Sequence, residues 1–379
     1  MKLAAVRCEY LSVEVAIPVR ETKTNFGALL IVLESTEGAY GIGLARERED
    51  QAAATRAFIS NDILPMLRDS DFGPAQLWSE FGVTFPSKLR SEYRSASGML
   101  NCALSAVDQA LWDLWGHTLE TPLFRLLGGT SATIPIYSTF GLNIYAQDEE
   151  VEAARRNVAA GFRILKLQGS DRSGRFKIRR DIERIAAVRD AVGPDIDLIL
   201  DGRTNYELTE AVELARQILP YGILYFDEPV LAHDPVALSR FRERSGGIAV
   251  AARSRGGSIW DNRDLLTSGS VDYLGTNVVD QGGFTQSLKV AHMAEAFQVP
   301  IVTGGAWHLQ NAPLISAVPN GYMTEYHALA AAVSETIFAN APVPADGHLE
   351  LPESPGLGLV LNDDAVAEGI DRARARRVA

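Results

Sequence analysis

Cysteine, long apolar runs and an excess of basic residues are all lacking in this 379-residue sequence. Cys8 and Cys102 are the two cysteines, and Cys102 falls in an apolar helical pattern, so a disulfide framework is not expected. No apolar stretch reaches the roughly 18 residues that a membrane-spanning helix needs, and the N-terminus does not resemble a secretory leader. We therefore expect a cytoplasmic protein with no membrane partner.

The charge balance is acidic. The formal net charge is −12, which disfavours nucleic acids and anionic membranes as partners, because both would repel the chain. Hydrophobic residues make up 46% and charged residues 22% of the sequence, which are ordinary values for a globular protein. At roughly 150 residues per domain, the length indicates two domains. A small molecule is the expected partner, rather than nucleic acid or a membrane.

Residues 1–129 predict an α+β domain. Two β-rich stretches at 3–16 and 28–44 come first, with a hairpin turn at Glu37-Gly38. A helix follows, because apolar residues recur at three- and four-residue spacing. They are Ala103, Leu104, Val107, Leu111, Leu114 and Trp115. Gly128-Gly129 ends this region, and the polar segment 350–379 is expected to complete the same domain.

Residues 130–349 alternate short β-rich runs with amphipathic helices. The predicted strands are Ile134–Thr139, Arg163–Leu167, Ile196–Leu200, Gly222–Phe226, Ile248–Ala252, Val271–Thr276, Pro300–Thr303 and Tyr322–Glu325. The clearest helices between them are Glu149–Ala160, Phe176–Val192, Leu208–Leu219 and Phe284–Phe297. Parallel strands in an open sheet would leave unpaired edges, so the pattern predicts a closed, TIM-like (β/α)8-type barrel.

Polar residues close the predicted strands, at the end of a barrel where active sites form. The second strand ends in Lys166-Leu167-Gln168, and strand alternation directs Lys166 and Gln168 to one face. The next strands end in Asp201-Gly202-Arg203, Asp227-Glu228-Pro229, Ala252-Arg253-Ser254-Arg255 and Asn277, and the seventh runs into Gly304-Gly305-Ala306-Trp307-His308. We expect these residues to surround one site.

The chain resembles the enolase superfamily, in its mandelate racemase and muconate lactonizing branch. The likeness covers nearly the whole length and rests on several short motifs in order. They are the helix Ala103–Leu114 with Pro122-Leu123 and Leu126-Leu127-Gly128-Gly129, then Gly161-Phe162 before Lys166, Phe226-Asp227-Glu228-Pro229, Gly269-Ser270-Val271-Asp272 and Gly282-Gly283. The resemblance implies a modified (β/α)7β barrel with an α+β capping domain, and a homo-oligomer.

The resemblance also implies a chemistry. Members of the superfamily abstract a proton beside a carboxylate and stabilise the resulting enolate with Mg²⁺, held by three carboxylates from consecutive strands. In this chain the three ligand positions fall on Asp201, Asp227 and Ser254. Lys166 and His308 are the candidate acid–base residues. Gln168, Arg203, Arg253, Asn277 and Asn25 are the candidate substrate-binding residues, and the segments 22–26 and 45–49 would cover the mouth.

Several positions depart from the family pattern. Ser254 is a poor substitute for a carboxylate ligand, so Mg²⁺ binding is expected to be weak or absent. Gln168 stands where a second lysine is usual, Asn277 where an aspartate often supports a histidine, and Gly304 where that histidine would lie. His308 comes four residues later and is the remaining histidine near this strand end.

Two functions stay open at this point. One is a lyase or isomerase that abstracts a proton beside the carboxylate or lactone carbonyl of a hydroxy acid, such as a sugar acid. The other is a metal-independent or non-catalytic relative that binds a small anion through Lys166, Arg203 and Arg253. Under the second hypothesis, Arg253 or Arg203 pairs with Asp201 and Asp227 and occupies the metal position, since guanidinium suits carboxylates. Lys166 paired with Asp201 in a purely structural role is a further possibility.

Overall fold

The computed structural model describes residues 2–45, 49–68, 73–81, 97–170, 177–254 and 258–378. Across these ranges, no helix combines the length and the apolar character that crossing a membrane requires. The chain forms an N-terminal antiparallel sheet with helices, followed by a parallel barrel. The predicted fold class is therefore confirmed.

The N-terminal sheet consists of β1 (Leu3–Ala16), β2 (Lys23–Ser35) and β3 (Tyr40–Ala45), which pair antiparallel in that order. The hairpin turn between β2 and β3 includes Glu37 and Gly38, as the sequence predicted. The helices of this region are α1 (Glu49–Phe58), α2 (Leu64–Arg68), α3 (Pro74–Phe81), α4 (Ser97–Thr118) and α5 (Leu123–Leu126), with a π-helical turn at Ile59–Ile63.

Helix α4 packs directly on β3. The apolar positions that predicted this helix, such as Leu104, Val107 and Leu114, are fully buried and share a cluster with Leu29 and Ile31 of the sheet. The close approach depends on a small residue: a Cβ atom at Gly43 would lie 1.9 Å from the carbonyl oxygen of Ala106. The glycine thus sets the distance between helix and sheet.

The barrel strands follow the capping region. They are β4 (Thr133–Gly141), β5 (Ile164–Gln168), β6 (Asp197–Asp201), β7 (Ile223–Asp227), β8 (Val250–Arg253), β9 (Tyr273–Thr276), β10 (Ile301–Thr303) and β11 (Gly321–His327). Each strand is parallel to the next, and β11 pairs with β4, which closes the barrel. Closure leaves no free edge among these strands, as the sequence pattern required.

Helices connect the barrel strands and cover them. They are α6 (Gln147–Ala159), α7 (Lys177–Val192), α8 (Leu208–Ile218), α9 (Pro235–Arg244), α10 (Ile259–Thr267), α11 (Gly283–Ala296) and α12 (His308–Ala317), and α13 (Ala328–Ile337) follows β11. A 3₁₀ turn at Leu219–Tyr221 extends α8. A short strand, β12 (His348–Glu350), then pairs antiparallel with β4.

The C-terminal helix α14 (Asp363–Val378) returns to the capping sheet. Ala373 joins the apolar cluster that contains Cys8 and Leu29, and Arg372 lies 3.8 Å from Glu14 of β1. These contacts are consistent with a cap formed by 1–129 and 350–379, with 130–349 as the barrel. That division stays a prediction.

Strands β5 to β8 each end one residue later than the sequence predicted, and they therefore include Gln168, Asp201, Asp227 and Arg253. The reason is pairing: Gln168 lies opposite Asp201, and Asp201 lies opposite Asp227. Polar residues at strand ends stay in the ladder because their backbone groups find partners there. The site residues are consequently fixed by the sheet and not by mobile connections.

The capping region and the barrel are joined by buried polar side chains of α4. The Asp108 carboxylate accepts hydrogen bonds from Trp78 Nε1 and from the Thr285 amide, each at 3.1 Å. Gln109 Nε2 donates to the Val278 carbonyl oxygen at 3.1 Å. Because these buried groups satisfy one another across the interface, the cap has one fixed orientation over the barrel.

Gly283, the first residue of α11, is where the barrel approaches Asp108 most closely. It has a φ of +66°, and a Cβ atom there would lie 2.1 Å from Asp108 Oδ1. We expect Gly283→Ala to lower the thermal midpoint by several degrees, since left-handed strain of about 1–2 kcal/mol adds to the clash.

Gly193→Ala is the matched control, because Gly193 has a φ of +79° and a Cβ atom added there would have no other heavy atom within 4 Å. This variant should lose only the stability that corresponds to the left-handed strain. Equal losses of thermal midpoint in the two variants, measured by differential scanning calorimetry, would contradict the close-contact explanation.

Candidate functional site

A cavity of about 470 Å³ opens at the carboxyl end of the barrel strands. Six of the ten predicted site residues line it: Lys166, Gln168, Asp201, Arg203, Asp227 and Arg253. Glu228, Glu325 and residues 304–306 also line the cavity, and Phe26 of β2 lines it from the capping sheet. The parallel strands thus bring the predicted polar ends together at one mouth.

Lys166 is at the centre of this cluster. Its ammonium Nζ lies 2.5 Å from Asp227 Oδ2, 3.1 Å from Asp201 Oδ2 and 3.7 Å from Glu325 Oε1. The side chain is 2% exposed, and the Tyr137 ring centre lies 5.7 Å from Nζ. A single ammonium therefore connects carboxylates from three strands, β6, β7 and β11.

Burial and the neighbouring charges both shift the pKa values of the side chains in this cluster. Burial alone would lower the pKa of Lys166, but Asp201 and Asp227 hold it well above its ordinary value. Burial raises the pKa of Asp227 to about 7, opposed by Lys166 and reinforced by Asp201 and Glu228. The side chain of Lys166 is accordingly an ammonium ion, with one neighbouring carboxylate that is readily protonated.

Glu325, at the end of the last barrel strand, is the third carboxylate around Lys166. Burial would raise its pKa, but Lys166, His327 and hydrogen bonds from Thr139 and the Ala306 amide lower it to about 2. Glu325 therefore stays charged. The hydrogen bond to Ala306 also fixes the loop after β10 against the last strand.

Arg253 makes its ion pairs with a second set of carboxylates. Its guanidinium lies 3.4 Å from Glu228 Oε1 and 3.1 Å from Asp280 Oδ2. The hypothesis that Arg253 pairs with both Asp201 and Asp227 is therefore wrong: Lys166 makes that pairing, because its strand lies beside β6. Arg203 donates its backbone N–H to Asp201 Oδ1 at 2.9 Å. Arg255 lies outside the described residues.

Ser254, at the third predicted metal-ligand position, is turned away from the cavity. Its hydroxyl donates to Asp261 Oδ2 at 3.1 Å, and its carbonyl oxygen accepts from Gln281 Nε2 at 2.7 Å. It is fully buried and does not line the cavity. Strand alternation explains this, because the preceding residue, Arg253, points inward.

The donor set does not fit a resident Mg²⁺ ion. The described residues contain no group of three or more His, Cys, Asp or Glu side chains arranged to hold a metal. Asp201 and Asp227 are both already in contact with the ammonium of Lys166, and the third position offers no carboxylate. Mg²⁺ prefers an octahedron of oxygen ligands, of which these positions supply few.

His308 does not reach the cavity. It is the first residue of α12, it is 1% exposed, and its ring centre lies 5.0 Å from that of Tyr326. Tyr326 alternates with the cavity-lining residues Glu325 and His327, so its ring is on the outer side of the strand. Burial lowers the pKa of His308 to about 3. The left-handed turn at Trp307, with a φ of +65°, starts the helix before His308 can point inward.

Two predicted substrate-binding asparagines also lie outside the cavity wall. Asn277 is fully buried, and its Oδ1 accepts hydrogen bonds from the Val279 amide at 3.0 Å and from Asn311 Nδ2 at 3.1 Å. Asn25 is exposed on β2, where its Oδ1 accepts from Ser12 at 3.4 Å. Its neighbour Phe26 faces the cavity instead.

Residues 46–48 of the second predicted covering segment lie outside the described residues. The chain just before the first segment, 22–26, is held by a clasp on Tyr145 and Glu149. Arg20 donates through Nε and Nη2 to the Glu149 carboxylate, each at 2.6 Å, and Tyr145 donates its hydroxyl to the Pro18 carbonyl oxygen at 2.7 Å. The clasp holds the start of β2 beside the barrel mouth.

His233 and His327 line the cavity and were missed by the sequence reasoning. His327 could have been found, because it follows Glu325 by two residues in one strand and therefore shares its face. Its ring centre lies 6.3 Å from that of Phe26. His233 follows the strand end Asp227-Glu228-Pro229 in an irregular loop, for which the sequence offers no spacing rule.

Comparison with known proteins agrees with this architecture. Residues 11–128 match the mandelate racemase / muconate lactonizing enzyme N-terminal domain family, and residues 149–365 match the enolase C-terminal domain-like family. The chain is similar to a 3,6-anhydro-alpha-L-galactonate cycloisomerase of Streptomyces coelicolor, with 27% identity, and 92% of this chain and 94% of the relative are covered.

Two further proteins are similar to this chain. An arabinonate dehydratase of Saccharolobus solfataricus is 28% identical over 89% of this chain and 88% of its own length. The crystal structure of a racemase from Streptomyces coelicolor, with bound magnesium, superimposes with a TM-score of 0.84. It is 24% identical and covers 97% of this chain and 99% of its own. Relatives of this fold thus include sugar-acid enzymes and a magnesium-bound protein.

The central ion pair can be tested through stability. Lys166→Met leaves Asp201 and Asp227 buried without their counter-charge, so we expect a loss of about 3–5 kcal/mol in the free energy of unfolding. The pKa of Asp227 should then rise further in the folded state. The variant therefore regains stability as the pH falls and this carboxyl is protonated. The deficit in thermal midpoint should therefore be larger at pH 8 than at pH 5.

The control is Lys23→Met, which removes an exposed ion pair with Glu14 at 2.9 Å and should cost no more than about 1 kcal/mol. The double variant Lys166→Met/Asp227→Asn should recover part of the loss. A single Lys166→Met variant as stable as the wild type at pH 8 would contradict the ion-pair assignment.

Proposed function

Because the chain belongs to the mandelate racemase and muconate lactonizing enzyme family of the enolase superfamily, we propose that it is a lyase or isomerase of hydroxy acids. Its reaction would be the removal of a proton beside the carboxylate or lactone carbonyl of a sugar acid. The named relatives, a cycloisomerase and a dehydratase, act on acids of this class.

The observation that carries the proposal is the buried ammonium of Lys166 at the floor of a cavity of small-molecule size. Removing a proton beside a carboxylate leaves an enolate whose negative charge must be stabilised where it develops. A fixed ammonium in a water-poor pocket does this far better than one in water, because the local dielectric is low. Lys166 therefore has the charge, the position and the burial that this reaction needs.

Arg203 and Gln168 are proposed to bind the substrate. Both line the same cavity, and a guanidinium forms paired hydrogen bonds with a carboxylate. Gln168 offers an amide that can donate to and accept from hydroxyl groups. Phe26 of the capping sheet and His327 at the end of β11 would cover the bound acid, since their rings lie near one another. Such covering excludes water, which strengthens the electrostatic interactions inside.

Lys166 is also the proposed proton carrier. To take a proton from carbon, its Nζ must first give one to Asp227 Oδ2, 2.5 Å away, and the neutral amine can then accept the substrate proton. The pKa of Asp227, raised to about 7, favours that transfer, whereas the raised pKa of Lys166 opposes it, so the neutral amine would form only transiently. No step of this scheme runs through a metal ion, because the donor set does not fit one.

A specific observation favours a second candidate function, a non-catalytic protein that binds a small anion. Gly304 occupies the position of the family's histidine, and His308 lies outside the cavity wall. The cavity would then hold an acid through Lys166, Arg203 and Arg253, without a histidine at the end of β10. Both candidates bind the same class of ligand, and they differ only in whether the bound acid is converted to a product.

Proton exchange separates the two candidates. We expect the protein to bind at least one member of a panel of sugar acids and to exchange its α-hydrogen for deuterium in D₂O, detected by proton NMR. Lys166→Met should reduce that exchange by about a hundredfold or more, as the loss of an acid–base group does. Arg156→Met is the control, because it removes an exposed ion pair with Glu152 on α6, and it should exchange at the wild-type rate.

Calorimetry on the same panel completes the experiment. An acid that binds with measurable heat, but neither exchanges its α-hydrogen nor reacts, would favour the binding protein over the enzyme. No binding to any acid or lactone of the panel would contradict both candidates.

A further inference from the structure

Two cations are built into the region where the family resemblance expects a metal. Lys166 Nζ is in contact with Asp201 and Asp227, the first two predicted ligands. Arg253, which follows on β8, has its guanidinium between Glu228 and Asp280. Both side chains are almost fully buried and both line the cavity.

Lys166 stands at a position that the family pattern keeps, so the positive charge that this chain adds to the site is that of Arg253. Arg253 comes from the strand that should supply the third ligand, and it points inward while Ser254 is anchored to Asp261 and Gln281. Relative to the family pattern, the end of β8 has thus lost a carboxylate and gained a cation.

A divalent ion would compete with these cations. Mg²⁺ binds carboxylate oxygens at about 2.0–2.1 Å, so an ion that bridged Asp201 and Asp227 would lie beside the ammonium that contacts the same oxygens. Like charges at such a distance repel strongly in a buried site. Asp201 and Asp227 can therefore hold an ion only if the Lys166 ammonium moves away from them, and that would leave the ammonium buried without its counter-charges.

We propose that Lys166 and Arg253 together replace the divalent cation, so that this chain binds sugar acids without magnesium. The inference rests on the proposed function for its ligand class, but its claim about metal stands on the charged residues alone. The acid carboxylate would approach the cation side of the cavity, next to Arg203.

Metal binding is measured first, with the wild-type chain and no organic ligand. Titration with MnCl₂, followed by electron paramagnetic resonance of the free ion, and calorimetry with MgCl₂ should both give no saturable site below millimolar concentration. One tightly bound ion per chain, with micromolar affinity, would overturn the inference.

A designed variant then supplies the missing carboxylate at the inward-facing position of β8. Arg253→Glu removes the second cation and places a carboxylate beside Asp227, so Mn²⁺ should bind at least about tenfold more tightly than to the wild type. Arg242→Glu is the matched control, with the same exchange of residue types on the surface helix α9, and its metal affinity should stay at the wild-type level. Equal Mn²⁺ affinities of the wild type and Arg253→Glu, both folded by circular dichroism, would count against the inference.

Acid binding is measured separately, with sodium D-galactonate and sodium L-arabinonate as probes. Their calorimetric affinity for the wild type should be the same in EDTA as in MgCl₂, within a factor of about two. An acid that binds in MgCl₂ but not in EDTA would overturn the inference and leave the proposed function intact. If neither acid nor any of the wider panel binds in either buffer, the proposed function fails, and the metal titrations still decide the inference.

Discussion

The contact between the Lys166 ammonium and the carboxylates of Asp201, Asp227 and Glu325 is the interaction on which the rest of the site depends. Buried charges are tolerated only when they are paired, so each of these side chains fixes the positions of the others. The three carboxylates come from different strands, and the lysine from a fourth. The ion cluster therefore also links four strands across the barrel interior.

The barrel makes that contact possible. Parallel pairing places Gln168 opposite Asp201 and Asp201 opposite Asp227, and closure through β11 and β4 brings Glu325 to the same centre. The capping sheet adds Phe26, whose ring lies near those of Trp307 and His327. The cavity is thus lined by the charged strand ends of the barrel and by one side chain of the capping sheet.

Much of this could be predicted from the sequence. Alternating β and helical runs indicated the barrel, and polar strand ends indicated Lys166, Asp201 and Asp227, because alternation and closure are general rules. The sequence left both Lys166 and Arg253 open as partners of Asp201, since the distances between strands decide which of the two reaches it. His308 was misplaced for a similar reason: a left-handed residue at Trp307 redirects the chain, and nothing in that sequence requires such a turn.

The central claim is that a lysine ammonium, rather than a metal ion, joins Asp201 and Asp227. A crystal structure grown from a solution rich in MgCl₂ tests this most directly. The account predicts Lys166 Nζ within hydrogen-bond distance of both carboxylates, with no ion between them. An octahedral magnesium ion bound to Asp201 and Asp227, with Lys166 displaced from them, would contradict it.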